Sequence, residues 1–122
     1  GDSRRTDMQN GDMVKKLTIY VDEKDRSRHR PVYEVLLDIL HRNGIAGASV
    51  FRGVSGYGTD MVLHSSKMLD LSTNLPLKIE AVDSGAKIDS VLPEICEVVE
   101  KGLVEVSDTL VIRCDANRQT GH

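Results

Sequence analysis

The chain has no tryptophan, one phenylalanine and three tyrosines in 122 residues, an aromatic share of 3%. Phe51, Tyr20, Tyr33 and Tyr57 are too few to pave a surface for stacked bases, so the core must be built mainly from Leu, Ile and Val. A large excess of one charge is missing too. Sixteen Lys and Arg against nineteen Asp and Glu leave a formal net charge of −3, which supplies no basic field for nucleic acid. The two cysteines, Cys96 and Cys114, fall in different expected elements without metal-type spacing, so packed, reduced thiols are expected rather than a disulfide framework. Apolar runs reach only a few residues, far short of the roughly 20 needed to cross a bilayer, and no apolar signal segment opens the chain. These absences point to a cytoplasmic protein with no membrane insertion and no nucleic-acid partner. His29, His41, His64 and His122 are scattered, so neither a metal site nor a required cofactor is expected.

What is present fits one modest core. Residues 1–13, "GDSRRTDMQNGDM", follow neither apolar period and read as a disordered leader, as do residues 115–122 as a tail. Between them, residues 14–114 form a single domain. "KKLTIYVD" alternates Leu17, Ile19 and Val21 with polar neighbours, the pattern of a half-buried strand. After the acid/base-mixed loop "EKDRSRHR", Pro31 suits a first helical position. Val32, Val35, Leu36, Ile39 and Leu40 then recur at helical spacing up to an Asn43-Gly44 stop. "GASVFRGV" is a second strand, with Ala48, Val50 and Val54 on one side and Ser49, Phe51 and Gly53 on the other. "LPLKIEAVDS" is a third, with Leu75, Leu77, Ile79 and Ala81 sharing a face. Ser84 caps a second helix carrying Ile88, Val91, Leu92, Ile95, Val98 and Val99, interrupted by Pro93 and ended by Gly102. "VEVSDTLVIRC" supplies a last strand, broken near Ser107-Asp108.

The order β-α-β-β-α-β predicts an α+β, ferredoxin-like fold: a four-stranded antiparallel sheet with both helices on one face. The other face mixes Thr18, Tyr20, Phe51, Lys78 and Val82. It is too apolar for free solvation and too polar for a core, which suggests oligomerisation through the sheet. The link between the second and third strands spans residues 55–74, where a hairpin needs two to five, so a functional arm is expected there.

That arm opens with Gly53, Gly56 and Gly58, whose spacing is a reversed dinucleotide fingerprint with no helix behind it, and no Walker lysine follows. The glycines read as a turn or hinge, or as backbone N–H groups turned toward an anion. Arg26, Arg28, His29 and Arg30 crowd the loop before the first helix, where Asp22, Glu23 and Asp25 compensate them. Arg52 lies on the core-facing phase of its strand at the mouth of the arm, where a lone charge calls for an anion from a ligand or a neighbouring chain. Asp83 ahead of the second helix reads as a dipole partner. No catalytic triad or dyad can be read from the chain.

Two stretches, "GIAGASVFRGVSGYG" and "LPLKIEAVD", within an order of elements that agrees independently, resemble a PII-like family of unknown function, distantly similar to PII signalling proteins, over about Lys15 to Ile112. The resemblance implies a homotrimer with inward-facing sheets, residues 55–74 as the target-engaging T-loop, and adenine nucleotide or another small anion as effector between subunits. By position it places Arg52, Gly53, Gly56, Tyr57 and Gly58 at the arm's base, Asp83, Ser84 and Lys87 near the cleft, and Arg113 as the basic residue of the last strand. Thr59, Asp60, Met61 and His64 fall on the partner-binding loop. The phosphate loop that PII proteins carry after the second helix would fall on "GLVEVSDTLV", where Val106, Ser107, Asp108 and Thr109 include no lysine.

The expected function is therefore a non-enzymatic PII-like regulator that binds a small-molecule effector and engages a membrane transporter, a channel or an enzyme. An acylphosphatase-like hydrolase on the same fold is the alternative. It would draw on Arg28 and Arg30, although that loop lacks a glycine-rich cradle.

Overall fold

The computed structural model describes residues 11–56 and 75–114. Strand β1, Gly11–Asp22, is followed by a short ribbon, β2 (Arg26–Ser27) and β3 (Arg30–Pro31), then by helix α1 (Val32–Arg42) and strand β4 (Ala48–Arg52). Strand β5 (Pro76–Asp83), helix α2 (Gly85–Val98) and strand β6 (Leu103–Ile112) complete the chain. The four long strands form one antiparallel sheet in the order β4-β5-β1-β6. This is the expected α+β, ferredoxin-like architecture.

The core follows from the two periodicities. Leu17, Ile19 and Val21 of β1 and Leu77, Ile79 and Ala81 of β5 are buried beneath Val32, Leu36, Ile39 and Leu40 of α1 and Ile88, Val91 and Ile95 of α2. Spacing alone places each of these side chains on a buried face. Leu75, just ahead of β5, is buried as well.

Several boundaries differ from the sequence reading. β1 takes in Gly11 to Met13, assigned above to the leader, because their backbones pair with Ile112, Val111 and Leu110 of β6. Such pairing depends on a strand about a hundred residues away and leaves no local signature. β6 runs unbroken, since Ser107 and Asp108 stay in register with Lys16 and Lys15. Lys15 Nζ also reaches Asp108 at 2.9 Å. Pro31 is the N-cap of α1 rather than its first residue. Helix α2 continues through Pro93 and ends at Val98, with Val99 extended.

Gly102 is therefore not a helix stop; the left-handed stop predicted for α1 does occur at Gly44, with φ +75°. Val54 lies beyond β4 and is 86% exposed, so it joins no strand face. Cys96 and Cys114 are both exposed free thiols, against the expectation of packed ones; Cys96 sits on the outer side of α2, next to buried Ile95.

The loop after β1 is a ribbon whose turn residues, Arg28 and His29, both have positive φ (53° and 75°). Such turns match strand twist and favour Asn-Gly. The two side chains are exposed, while Arg30 turns back to Asp38 at 2.9 Å and Glu34 at 3.9 Å. Of the two arginines on which the hydrolase alternative draws, Arg30 is thus engaged within the chain and Arg28 is exposed on the turn.

Candidate functional site at the base of the 57–74 segment

Strand β5 separates the candidate residues into two groups. Arg52 pairs with Leu77 at one end of the sheet, while Asp83 stands opposite Lys15 at the other. Six residues of extended chain put these ends about 20 Å apart. One protomer therefore does not bring Arg52, Gly53 and Gly56 together with Asp83, Ser84 and Lys87.

At the first end the chain leaves β4 and returns into β5. Gly53 N–H donates to the Pro76 carbonyl at 2.7 Å, so that amide is already committed. A Cβ on Gly53 would come within 2.8 Å of Pro76 Cγ, and one on Gly56 within 3.3 Å. Gly53 thus serves close approach to the proline ring, not a left-handed turn.

Arg52 donates from Nη2 to Glu23 Oε2 in a close ion pair. The anion expected near Arg52 is thus supplied by this chain's own loop. Glu23 also reaches the return side of the segment: its N–H donates to the Leu75 carbonyl at 3.0 Å, and its Oε1 lies 3.5 Å from the Leu75 N–H. The Arg52 hydrogen bond, with a smaller contribution from Leu75, holds the Glu23 carboxyl below its ordinary value against a partial desolvation penalty.

Next along this end of the sheet, the loop after α2 holds exposed Lys101 and then Gly102. The positions from Val106 to Thr109, where the phosphate loop was expected, are instead mid-strand in β6. The loop that does follow the second helix is therefore residues 99–102, and it contains a lysine. Neither Glu23 nor Lys101 was singled out from the sequence. Glu23 was read as one of several self-compensating loop charges, and Lys101 was hidden by extending the helix to Gly102.

The second group forms a structural clip. Asp83 accepts from Ser84 N–H at 2.7 Å through Oδ1 and from Ala46 N–H at 2.8 Å through Oδ2. Ser84 Oγ caps α2 by accepting from Lys87 N–H at 3.3 Å, and Lys87 Nζ donates to the Gly44 carbonyl at 2.8 Å. These bonds tie the α1–β4 loop to the start of α2.

The Ser84 and Ala46 amides, in that order, pull the Asp83 carboxyl below its ordinary value near 3.8, with Lys87 adding less. A depressed folded-state value means that the contribution is complete above about pH 3.8 and is lost as pH falls through the folded value. Asp83→Asn, which keeps the shape but offers only one acceptor atom, is expected to cost under about 1 kcal/mol at pH 7, because both bonds are open to solvent screening. The deficit should shrink below pH 3, as read by urea unfolding at both pH values.

Arg113 lies beyond β6 on this side of the molecule and is ion-paired with Asp12. Tyr57, Gly58, Thr59, Asp60, Met61 and His64 lie outside the described residues. On the helix-free face, Lys78 Nζ sits 5.0 Å from the Phe51 ring centroid and 3.2 Å from Glu80. Among the described residues, no helix is long and apolar enough to cross a membrane.

This architecture is PII-like. CPII from Thiomonas intermedia K12, solved with ADP and bicarbonate, superimposes with a TM-score of 0.62 at 22% identity, covering 84% of this chain and 92% of that one. TTHA0516 from Thermus thermophilus, described as a putative PII-like signaling protein, gives 0.59 at 13% identity, with coverages of 88% and 97%. At such identities the likeness establishes the fold. The chain belongs to the DUF190 family, "Uncharacterized ACR", which it matches over residues 14–111. The UPF0166 protein MJ1524 of Methanocaldococcus jannaschii is 39% identical over 101 residues, 82% of this chain and 93% of that protein. A UPF0166 protein of Aquifex aeolicus is 34% identical over 102 residues, 82% of this chain and 96% of that protein.

Proposed function

We propose that this chain is the subunit of a non-enzymatic, homotrimeric PII-like regulator. It binds a small anionic effector at the base of the 55–74 loop and engages a partner protein through that loop. The observation that carries the reading is the position of Arg52: a half-exposed guanidinium at the end of β4, directly before Gly53, whose N–H bonds the Pro76 carbonyl across to β5. Lys101 in the loop after α2 is a second cation at the same end of the sheet. An adenine nucleotide is the first candidate effector, because the fold neighbour CPII was crystallised with ADP. The regulated partner is a membrane transporter, a channel or an enzyme, met on the cytoplasmic side.

Assembly through the sheet is supported by what the single chain leaves exposed. Phe51, Leu103 and Val111 lie on the helix-free face, and Met13, Val106 and Ile112 on the long β1–β6 ribbon; all of them remain accessible in one protomer. An acidic chain with this much accessible apolar surface is expected to run in light scattering at the mass of three chains. A monomer would remove any site between subunits.

A thermal-shift panel of adenine nucleotides, cyclic nucleotides and small organic anions tests the effector reading. ADP or a relative should raise the melting temperature, and keep raising it with the logarithm of its concentration above Kd, and Arg52→Ala should abolish the shift. If no anion in the panel stabilises the wild type, the effector reading is wrong.

A further inference from the structure

Glu23 is the residue at this site that the proposed function leaves without a task. Its carboxylate takes the Arg52 guanidinium, and the same residue bonds the Leu75 backbone through its N–H at 3.0 Å and faces the Leu75 amide through Oε1 at 3.5 Å. One residue therefore touches both margins of the 57–74 segment, the outgoing strand through Arg52 and the returning strand through Leu75. The guanidinium side chain is 56% exposed and the carboxylate 24%, so solvent and solutes reach the cation while the glutamate is partly shielded behind it.

We infer that Glu23 is a built-in competitor for the effector, an internal carboxylate that occupies Arg52 when no anion is bound and that an incoming phosphate must displace. The inference rests on the effector reading above. Two anions cannot share one guanidinium edge without repelling each other, and the loss is greatest where one of them is partly withdrawn from water. An anion that takes Arg52 repels the Glu23 carboxylate, whose Oε1 faces the Leu75 amide. Binding at the outgoing strand is thereby felt at the returning one. Effector affinity is set by the difference between two ion pairs, which keeps it moderate and makes the site selective for strongly charged oxyanions that form bidentate contacts.

Glu23→Gln tests this directly, because glutamine keeps the length, the Leu75 backbone bond and an acceptor oxygen while removing the charge. ADP affinity of the full chain, measured by calorimetry at fixed salt, is expected to rise roughly tenfold in Glu23→Gln, with Glu23→Asp falling between the variant and the wild type. If ADP binds the wild type and Glu23→Gln equally, or binds the variant more weakly, Glu23 is no competitor and the inference is overturned while the effector reading stands. If neither ADP nor any other anion of the panel binds either protein, both fall.

Discussion

Gly102→Ala is expected to destabilise the protein by about 3 kcal/mol, the upper end of what overpacking costs. A methyl group at this position would collide with the carbonyl oxygen of Tyr20 and would stand 2.8 Å from Val99 Cγ1 and 3.2 Å from Val21 Cγ1. The Tyr20 carbonyl cannot step aside, because Tyr20 is paired with Leu103 on one side and Lys78 on the other. The new atom must therefore push β6 away from β1 where the two strands begin their pairing. A small domain has only about 5–15 kcal/mol of stability to lose, so the urea midpoint should fall far enough to be measured without ambiguity. A midpoint near that of the wild type would mean that the 99–102 loop approaches β1 less closely than described.

Arg52→Glu is expected to reduce ADP affinity at least a hundredfold while leaving the fold intact. The substitution removes the guanidinium and sets a second carboxylate beside Glu23, so the base of the segment changes from a compensated pair to two like charges. Loss of the exposed, solvent-screened pair itself contributes little to stability. The melting temperature in the absence of ligand should therefore change far less than the binding does. Unchanged ADP affinity in a well-folded variant would remove Arg52 from the site.

Most of the fold was legible because it depends on local periodicity. Leu17, Ile19 and Val21 alternate as a strand must, and Leu36, Ile39 and Leu40 repeat as a helix must. Both sets are buried as expected. The errors lie where partners distant in the sequence decide. Met13 joins a strand only because Leu110 is there to pair with it, and β6 stays continuous past Asp108 because Lys15 stands opposite.

The site was less legible for the same reason. Arg52 could be flagged as a charge in the wrong phase of a strand. That its partner would be Glu23, twenty-nine residues earlier, follows only from folding the loop after β1 over the start of β5. Asp83, Ser84 and Lys87 adjoin one another in sequence and in the structure. Their bonds to Ala46 and Gly44 give them an architectural role that spacing alone could not reveal. Lys101 was obscured by the length assigned to α2, since helix ends are the least certain feature of a periodic pattern.

Backbone amide exchange with and without ADP locates on the subunit any effect of the proposed effector. Altered protection is expected at Glu23 and Gly53, whose amides bond Leu75 and Pro76 at the base of the 57–74 segment. The clip amides of Ala46, Ser84 and Lys87, at the opposite end of β5, should stay unchanged. Protection that changes at the clip while the Glu23 and Gly53 amides stay the same would place the effector at the opposite end of β5 and rule out the Arg52 site.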